Sequence, residues 1–502
     1  LLLGDAGTRR HEIAVRAALG GARRQVARQL FAESLLLAAA AGVLGVVVAA
    51  WLTPTLVSLA PTTLPMADTV RLDQRVFLFA VLVTLGSSLL FGVGPALWMS
   101  SADPAEALRE GGRSGVQRSR GYRWVVAGQV AMATMLLVGA GLLVETVRQM
   151  TSQPLGFDPD RLAVAAVRLP PVPSATAAQR AERTQVLVDR LAALREVEHA
   201  AATSTVPFSG NSGSNSFQIP GRTFERDPTA NRHVITEDYF ATLGIPVAKG
   251  RTFDSRDQSG AFAAVVTDEF ERVLMEGEAL GKRFVLNGNE HTIIGVVPAA
   301  KHRRYTDQQS VAFYLLSRQL PGWSLGSWIV RLSGEPADQL PAVRRAILEV
   351  EPQAAFVTFE TMDAMMRRSI AAERYRAVLA LAFGLLAVLL SGIGLYGLVA
   401  RSVSDRRREM GVRIALGAHG GEIRRLVFRH AFGLVALGVA VGVPAAVLTS
   451  RGLASMLFGV TPTSLPVVLI AVITMAGAGL LATVGPALRA TRINPIDALR
   501  GQ

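Results

Sequence analysis

The chain has 502 residues, half of them hydrophobic, with no cysteine and a mean hydropathy of +0.34. That apolar content excludes an ordinary soluble protein of this size, and the lack of thiols excludes a disulfide framework or a thiolate metal site. A net charge of +13 would suit a nucleic-acid-binding face, but residues 1–29, 100–123, 401–429 and 489–502 alone hold 22 Arg against 9 acidic residues, which is the whole excess.

Taken in order, the chain opens Leu-Leu-Leu-Gly-Asp, without Met or a signal peptide, and is expected to be a fragment of a longer product. The run Glu12-Ile-Ala-Val-Arg16-Ala-Ala18-Leu19-Gly20 follows, and it returns as Glu409-Met-Gly-Val-Arg413-Ile-Ala415-Leu416-Gly417. A second motif, Val93-Gly-Pro-Ala-Leu97 followed by Pro104-Ala-Glu106-Ala-Leu108-Arg109, returns as Val484-Gly-Pro-Ala-Leu488 followed by Pro495-Ile-Asp497-Ala-Leu499-Arg500. Paired repeats of this kind mark a duplicated unit.

Six apolar stretches accompany the repeats, at 30–53, 76–98, 124–144, 377–400, 431–450 and 466–488. Each reaches the roughly 20 residues that a bilayer crossing takes. No charge falls between Arg123 and Glu145, between Arg376 and Arg401, or between Arg451 and Arg489. Such gaps are what spanning helices require, because a charge at the bilayer centre costs a few kcal/mol or more. The positive-inside rule then places the four Arg-rich segments in the cytoplasm, with both ends of the chain inside and residues 145–375 outside.

Residues 150–372 read as an α/β domain on the outer side. Arg161–Leu169, the helix Thr176–Val197 with Val186, Leu187, Leu191 and Leu194 on one face, and Ala200–Val206 predict one β-α-β unit. Ser327–Leu332, the helix Ala337–Val350 and Ala355–Phe359 predict a second. Between them lies an inserted subdomain that begins with the Gly/Ser-rich loop Phe208–Phe217. It continues with a hairpin, Arg283–Leu286 and His291–Val297, turned at Asn287-Gly288-Asn289. Thr361–Arg374 is expected to be a helix running straight into the fourth span. The fold class is therefore an α-helical polytopic membrane protein with six transmembrane helices and a large α/β outer domain.

In each cytoplasmic repeat, Glu stands four residues before Arg, the favourable order for a helical ion pair, and Gly20 and Gly417 stop the helix as C-cap glycines would. An Arg-rich helix lying along the inner surface and joined to a spanning helix results. Lipid anchoring is one reading; the duplicated small-residue pattern Ala18-Leu19 and Ala415-Leu416 favours a protein partner. Asp103 and Asn494 are N-caps, and Pro104 and Pro495 suit the first helical position, so both mark helix starts just inside the membrane. Pro95 and Pro486 are expected to kink their spans. Glu33 and His430, at matching places in the repeats, read as interfacial residues that snorkel. Gly438-Val-Ala-Val-Gly442 is a weak helix-packing signal.

Catalytic motifs are missing. Gly277-Glu-Ala-Leu-Gly281-Lys282-Arg283 is one residue short of a phosphate loop and has Arg where Ser or Thr should stand. His199, His233, His291 and His302 show no metal-binding spacing. No enzyme activity, metal or cofactor is expected of the chain itself.

These elements together resemble the MacB/FtsX-type permeases of ABC transporters over essentially the whole chain. Arg407–Ala418 is similar to the family's cytoplasmic signature and Asn494–Arg500 to its C-terminal one. In the outer domain Asp238–Pro246, Gly250–Phe253, Leu280–Phe284 and Ile293–Val297 are similar to the MacB-type periplasmic core. The tandem arrangement is similar to the acidobacterial duplicated orphan permeases. The resemblance divides the chain into the later part of a first unit (1–99), a cytoplasmic linker (100–123), and one complete unit over 124–488. That unit carries the periplasmic core at 150–372 and the cytoplasmic segment at 401–429, and a tail at 489–502 follows it.

The resemblance implies a bacterial inner-membrane permease that works by mechanotransmission. A separate cytoplasmic ATPase, in two copies, would dock on Glu12, Arg16, Ala18, Leu19 and Gly20 and on Glu409, Arg413, Ala415, Leu416 and Gly417. Its closure would move the outer domain, in efflux or export. A periplasmic adaptor or outer-membrane channel is a further implied partner, besides the bilayer; nucleic acid is not. Two alternatives stand beside it: an FtsX-like scaffold regulating a periplasmic cell-wall hydrolase, and an orphan membrane receptor without an ATPase.

Overall fold

The computed structural model describes residues 23–61, 70, 73–86, 115–170, 176–209, 213–258, 260–301, 311–320, 323, 325–416, 419–452 and 457–491. It falls into two compact units, residues 1–147 with 372–502, and residues 148–371. Along the chain the helices are α1 (Arg23–Ser58), α2 (Gln74–Gly86), α3 (Gly115–Ser152), α4 (Ala177–Ala192), α5 (Tyr239–Leu243), α6 (Asp268–Leu274), α7 (Pro336–Val350), α8 (Met362–Ser369), α9 (Ala371–Asp405), α10 (Arg407–Ala415), α11 (Gly420–Gly452) and α12 (Leu465–Thr491).

Among the described residues, five helices contain stretches long and apolar enough to cross a membrane: Leu35–Ser58, Arg123–Ser152, Ala371–Asp405, Gly420–Gly452 and Leu465–Thr491. The sixth expected span, 76–98, begins in α2, and its second half lies outside the described residues. In the helical unit α3, α9, α11 and α12 share one core, built on Val130, Leu137, Leu395, Val399, Leu434, Val435 and Met475 among others. Buried hydroxyls in it bond within their own helices, Thr134 Oγ1 donating to the Val130 carbonyl at 2.8 Å and Thr483 to that of Gly479, so these polar groups keep a partner away from water.

The glycine pair read as a weak signal lies at a close contact between two helices of this core. A Cβ on Gly442 would stand 2.6 Å from the Ala131 carbonyl oxygen, and one on Gly438 would meet Val130. Only glycine lets α11 approach α3 this closely. By contrast α1 and α2 show most of their large apolar side chains, with Leu36 and Trp51 each 72% exposed, as suits surfaces facing lipid. The α12 helix continues through Pro486 without a break.

Residues 148–371 form an α/β domain on one mixed sheet. Its strands are β1 (Leu162–Arg168), β2 (Val197–Thr203), β3 (Gly213–Ser216), β4 (Thr229–Ile235), β5 (Lys249–Gly250), β6 (Phe262–Thr267), β7 (Arg283–Leu286), β8 (Asn289–Val297), β9 (Ala312–Leu316), β10 (Ser327–Leu332) and β11 (Ala355–Thr361). The order is β11-β1-β10-β2-β4-β9-β6-β8-β5, with β3 on β4 and β7 on β8. Both expected β-α-β units are present but interleaved: β10 lies between β1 and β2, and β1 lies between β10 and β11. This is the split β-α-β plan. Alternate residues Ala163, Ala165, Val167, Trp328, Val330 and Leu332 point to α4 and α7 and form its core.

The insertion between β2 and β10 has its own core, around Phe217, Phe270, Phe284 and Phe313. It continues the same sheet rather than forming a separate one, because β4 pairs β2 at Thr203 and Ile235 and covers an edge that would otherwise expose unpaired backbone. Its hairpin turns on two residues, Asn287 and Gly288, both with positive φ (49° and 82°), as a tight hairpin turn requires.

Four local expectations need correction. The buried face of α4 is Thr184, Leu187, Val188 and Leu191; Val186 lies off that stripe and is 44% exposed. Strand β2 starts three residues early, its polar Glu198 and His199 falling where β2 meets β10, and it ends where Thr203 Oγ1 turns to the Thr205 carbonyl at 3.0 Å. The Gly/Ser-rich stretch contains a strand, β3. Finally, the helix expected over 361–374 breaks at Ile370 (φ −110°, ψ 9°), after Ser369 Oγ donates to the Met366 carbonyl at 2.7 Å.

Candidate functional site

The segment joining α9 to α11 carries the later copy of the repeated motif. An ion pair, Arg401 to Asp405 at 3.6 Å, closes α9, and the Met410 amide donates to the Arg406 carbonyl at 2.9 Å to start α10. Helical spacing then sorts the side chains. Met410 (3% exposed), Gly411 and Ile414 turn toward the helical core, while Arg407, Glu409, Val412, Arg413, Ala415 and Leu416 are exposed. The expected pair is present, Arg413 Nη2 donating to Glu409 Oε1 at 2.7 Å.

The result is a short helix fixed from below and open above. On its free face two rows four residues apart run side by side: the charged pair Glu409 and Arg413, and the apolar pair Val412 and Leu416, the latter 83% exposed. Arg406, Arg424, Arg425 and Arg429 are exposed on the adjoining helix ends. Val412 is not among the docking residues expected from the sequence. Its spacing to Leu416 was the available signal, but Met410, Val412 and Ile414 look alike in a sequence, and only packing shows which of them faces out.

At the ends of two spans, Arg123 Nη2 of α3 lies 3.1 Å from Nδ1 of His430 on α11, so His430 is half-buried against a cation rather than freely snorkelling. Of the remaining sequence candidates, Glu12, Arg16, Ala18, Leu19, Gly20, Asp103, Pro104, Gly417, Asn494 and Pro495 lie outside the described residues, as does Pro95. In the outer domain the short Gly277–Lys282 loop is no phosphate cradle: the Gly277 amide donates to the Glu271 carbonyl and the Gly281 amide to that of Ile293.

Two family models match the chain. One, a MacB-like periplasmic core domain, covers residues 125–350; the other, an FtsX-like permease C-terminal domain, matches twice, at 4–104 and 381–495. Similar proteins include the macrolide export ATP-binding/permease protein MacB of Chromobacterium violaceum, 26% identical over 53% of this chain and 42% of its own length. The protein of the same name from Sodalis glossinidius is 29% identical over 55% of this chain and 45% of its own. The chain therefore spans less than half the length of these relatives.

Proposed function

We propose that the chain is a permease of the MacB/FtsX type of ABC transporters, an inner-membrane protein with several spanning helices and a periplasmic domain, and that it works by mechanotransmission. The matches to the periplasmic-core and permease models support this reading. A separate cytoplasmic ATPase docks on the free face of α10, and ATP-driven closure moves the helices that carry the periplasmic domain. Export, which the relatives' names ascribe to them, is the process it would serve, and a periplasmic adaptor or outer-membrane channel would complete the route.

The observation that carries this reading is the composition of that free face. An exposed leucine and valine on a helix held from beneath by Met410 and Ile414 have no internal purpose, and burying them under a partner returns hydrophobic free energy. The double match to the permease model supports a tandem arrangement like that of the duplicated orphan permeases. In it Glu12, Arg16, Ala18, Leu19 and Gly20 form a second docking site, and two ATPase subunits are gripped at once. Six crossings with both ends in the cytoplasm follow from the placement of the arginines.

Arg413→Glu combined with Arg16→Glu tests the coupling. The variant is expected to insert normally and to lose co-purification of the ATPase. Retention of the ATPase at the wild-type ratio would overturn the docking assignment.

A further inference from the structure

Where arginines are drawn into the folded structure of this chain, a carboxylate usually meets them. In the periplasmic domain Arg183 pairs with Glu351, Arg251 with Asp257 at 2.6 Å and Arg331 with Asp158 at 2.8 Å. Around α10, Arg401 has Asp405 and Arg413 has Glu409. One place departs from this. Arg123, on α3, is half-buried, and its Nη2 stands within hydrogen-bond reach of both ring nitrogens of His430 on α11, 3.1 Å from Nδ1. Arg406, at the start of α10, is near enough for its charge to act on the same ring. Among the described residues no carboxylate pairs with any of the three.

The place of this cluster indicates what should fill it. Arg123 is the last charge before an uncharged run that ends at Glu145, and His430 is the last titratable group before the apolar run 431–450. Both therefore stand where a span leaves the hydrocarbon. Trp124 is 66% exposed and Val125 41%, so the cluster adjoins a helix surface that lipid covers. Arginine has no acceptor, so the ring meets Arg123 through a lone pair, and its other nitrogen carries a proton that it can donate. Two guanidinium groups and an imidazole N–H, with no negative group against them, suit an anion that offers several acceptor oxygens. A phosphodiester does so, and phospholipid headgroups lie at this depth. The first copy of the repeat differs here. Glu33 stands at the place that matches His430, and a carboxylate there would neutralise a cation and repel a phosphate.

We propose that Arg123, His430 and Arg406 form a binding site for the phosphate of an anionic phospholipid headgroup, one per chain, where α3 and α11 meet beside the start of α10. The headgroup takes the place of the missing carboxylate and ties α10 to the bundle at the membrane surface. The site goes beyond the mechanotransmission reading and does not depend on it.

Native mass spectrometry of the full chain, purified in lipid-free detergent and titrated with phosphatidylglycerol or with phosphatidylcholine, counts the lipids that stay bound. The expected result is one phosphatidylglycerol per chain, retained under activation that strips phosphatidylcholine. Arg123→Gln should weaken this binding by about fivefold or more, the factor that a basic group near anionic headgroups contributes. His430→Glu gives Arg123 a carboxylate, keeps α3 and α11 joined, and covers the case in which Arg123→Gln does not fold; it should abolish retention. Arg451→Gln, which removes an exposed arginine at the opposite end of α11, should leave retention unchanged. Equal retention in wild type and in folded His430→Glu overturns the site, as does equal retention of the two lipids by wild type. An equal loss in Arg451→Gln would show unspecific charge attraction and overturn it as well. Inorganic phosphate in excess should not displace the lipid; if it does, the cluster is a site for free phosphate and the lipid assignment fails.

Discussion

At the residue scale, the free face of α10 separates side chains that set register from those that supply energy. The exposed Glu409–Arg413 pair is worth less than about 1 kcal/mol, whereas burying Leu416 is worth roughly 1.5–3 kcal/mol. Leu416→Asp should therefore weaken ATPase binding by about 10- to 100-fold, and Arg413→Ala by only a few-fold, in titrations of the purified subunit against the chain in nanodiscs. Equal losses from the two changes would mean that charge, not apolar contact, dominates. The repeat was enough to pick out this segment in the sequence, because duplication marks it. It was not enough to pick out Val412, whose exposure depends on how α10 rolls onto the bundle.

His291 offers a second test at this scale. It lies on β8 in the core of the insertion, 1% exposed, its ring stacked on Phe284 at 5.3 Å. Burial lowers its pKa from the usual 6.5 to about 4, so the folded domain favours the neutral ring. A proton therefore binds the unfolded chain more readily, and the stability contributed by neutral His291 is complete above pH 6.5 and lost as pH falls toward 4. The loss amounts to about 3 kcal/mol if the whole shift is expressed. Protection factors of the β7–β8 amides, corrected for the intrinsic pH dependence of exchange, should fall over this window in wild type, and markedly less so in His291→Phe. A wild-type profile flat from pH 7 to pH 4 would remove His291 from the account.

Among the elements, the hairpin's place and the start of α4 follow local rules and were legible, whereas the end of α4, expected at Val197 and found at Ala192, and the features set by packing were not. The β7–β8 hairpin follows from Asn287-Gly288, and α4 starts at Thr176 through a capping box in which the Gln179 amide donates to Thr176 Oγ1 at 3.2 Å and the Thr176 amide to Gln179 Oε1 at 2.8 Å. The break at Ile370 and the strand inside a Gly/Ser stretch were not legible, since each depends on a distant partner or a competing hydroxyl. The contact of Gly438 and Gly442 with α3 was equally hidden in a span rich in small residues. There, Gly442→Val forces a side chain into the Ala131 backbone, and overpacking of this kind costs typically 1–3 kcal/mol. The variant should insert but lose thermal stability in detergent, whereas Gly433→Val, at a glycine with open space beside it, should not. Equal stability of the two variants would show that α3 and α11 do not meet at this seam.

For the whole molecule, hydropathy and arginine placement were the strongest signals. A spanning helix must satisfy its own backbone, so its length and composition are written locally. The interleaved sheet was out of reach because strand order is set by pairings between residues more than 100 positions apart, such as Leu162 with Arg331. Whether a motor protein grips the two repeats is read by photocrosslinking from Ala415 and Ala18 in native membranes, with mass spectrometry of the captured species. An ATP-binding subunit trapped at both positions is the predicted result; lipid alone at both would contradict it and leave these helices as surface anchors.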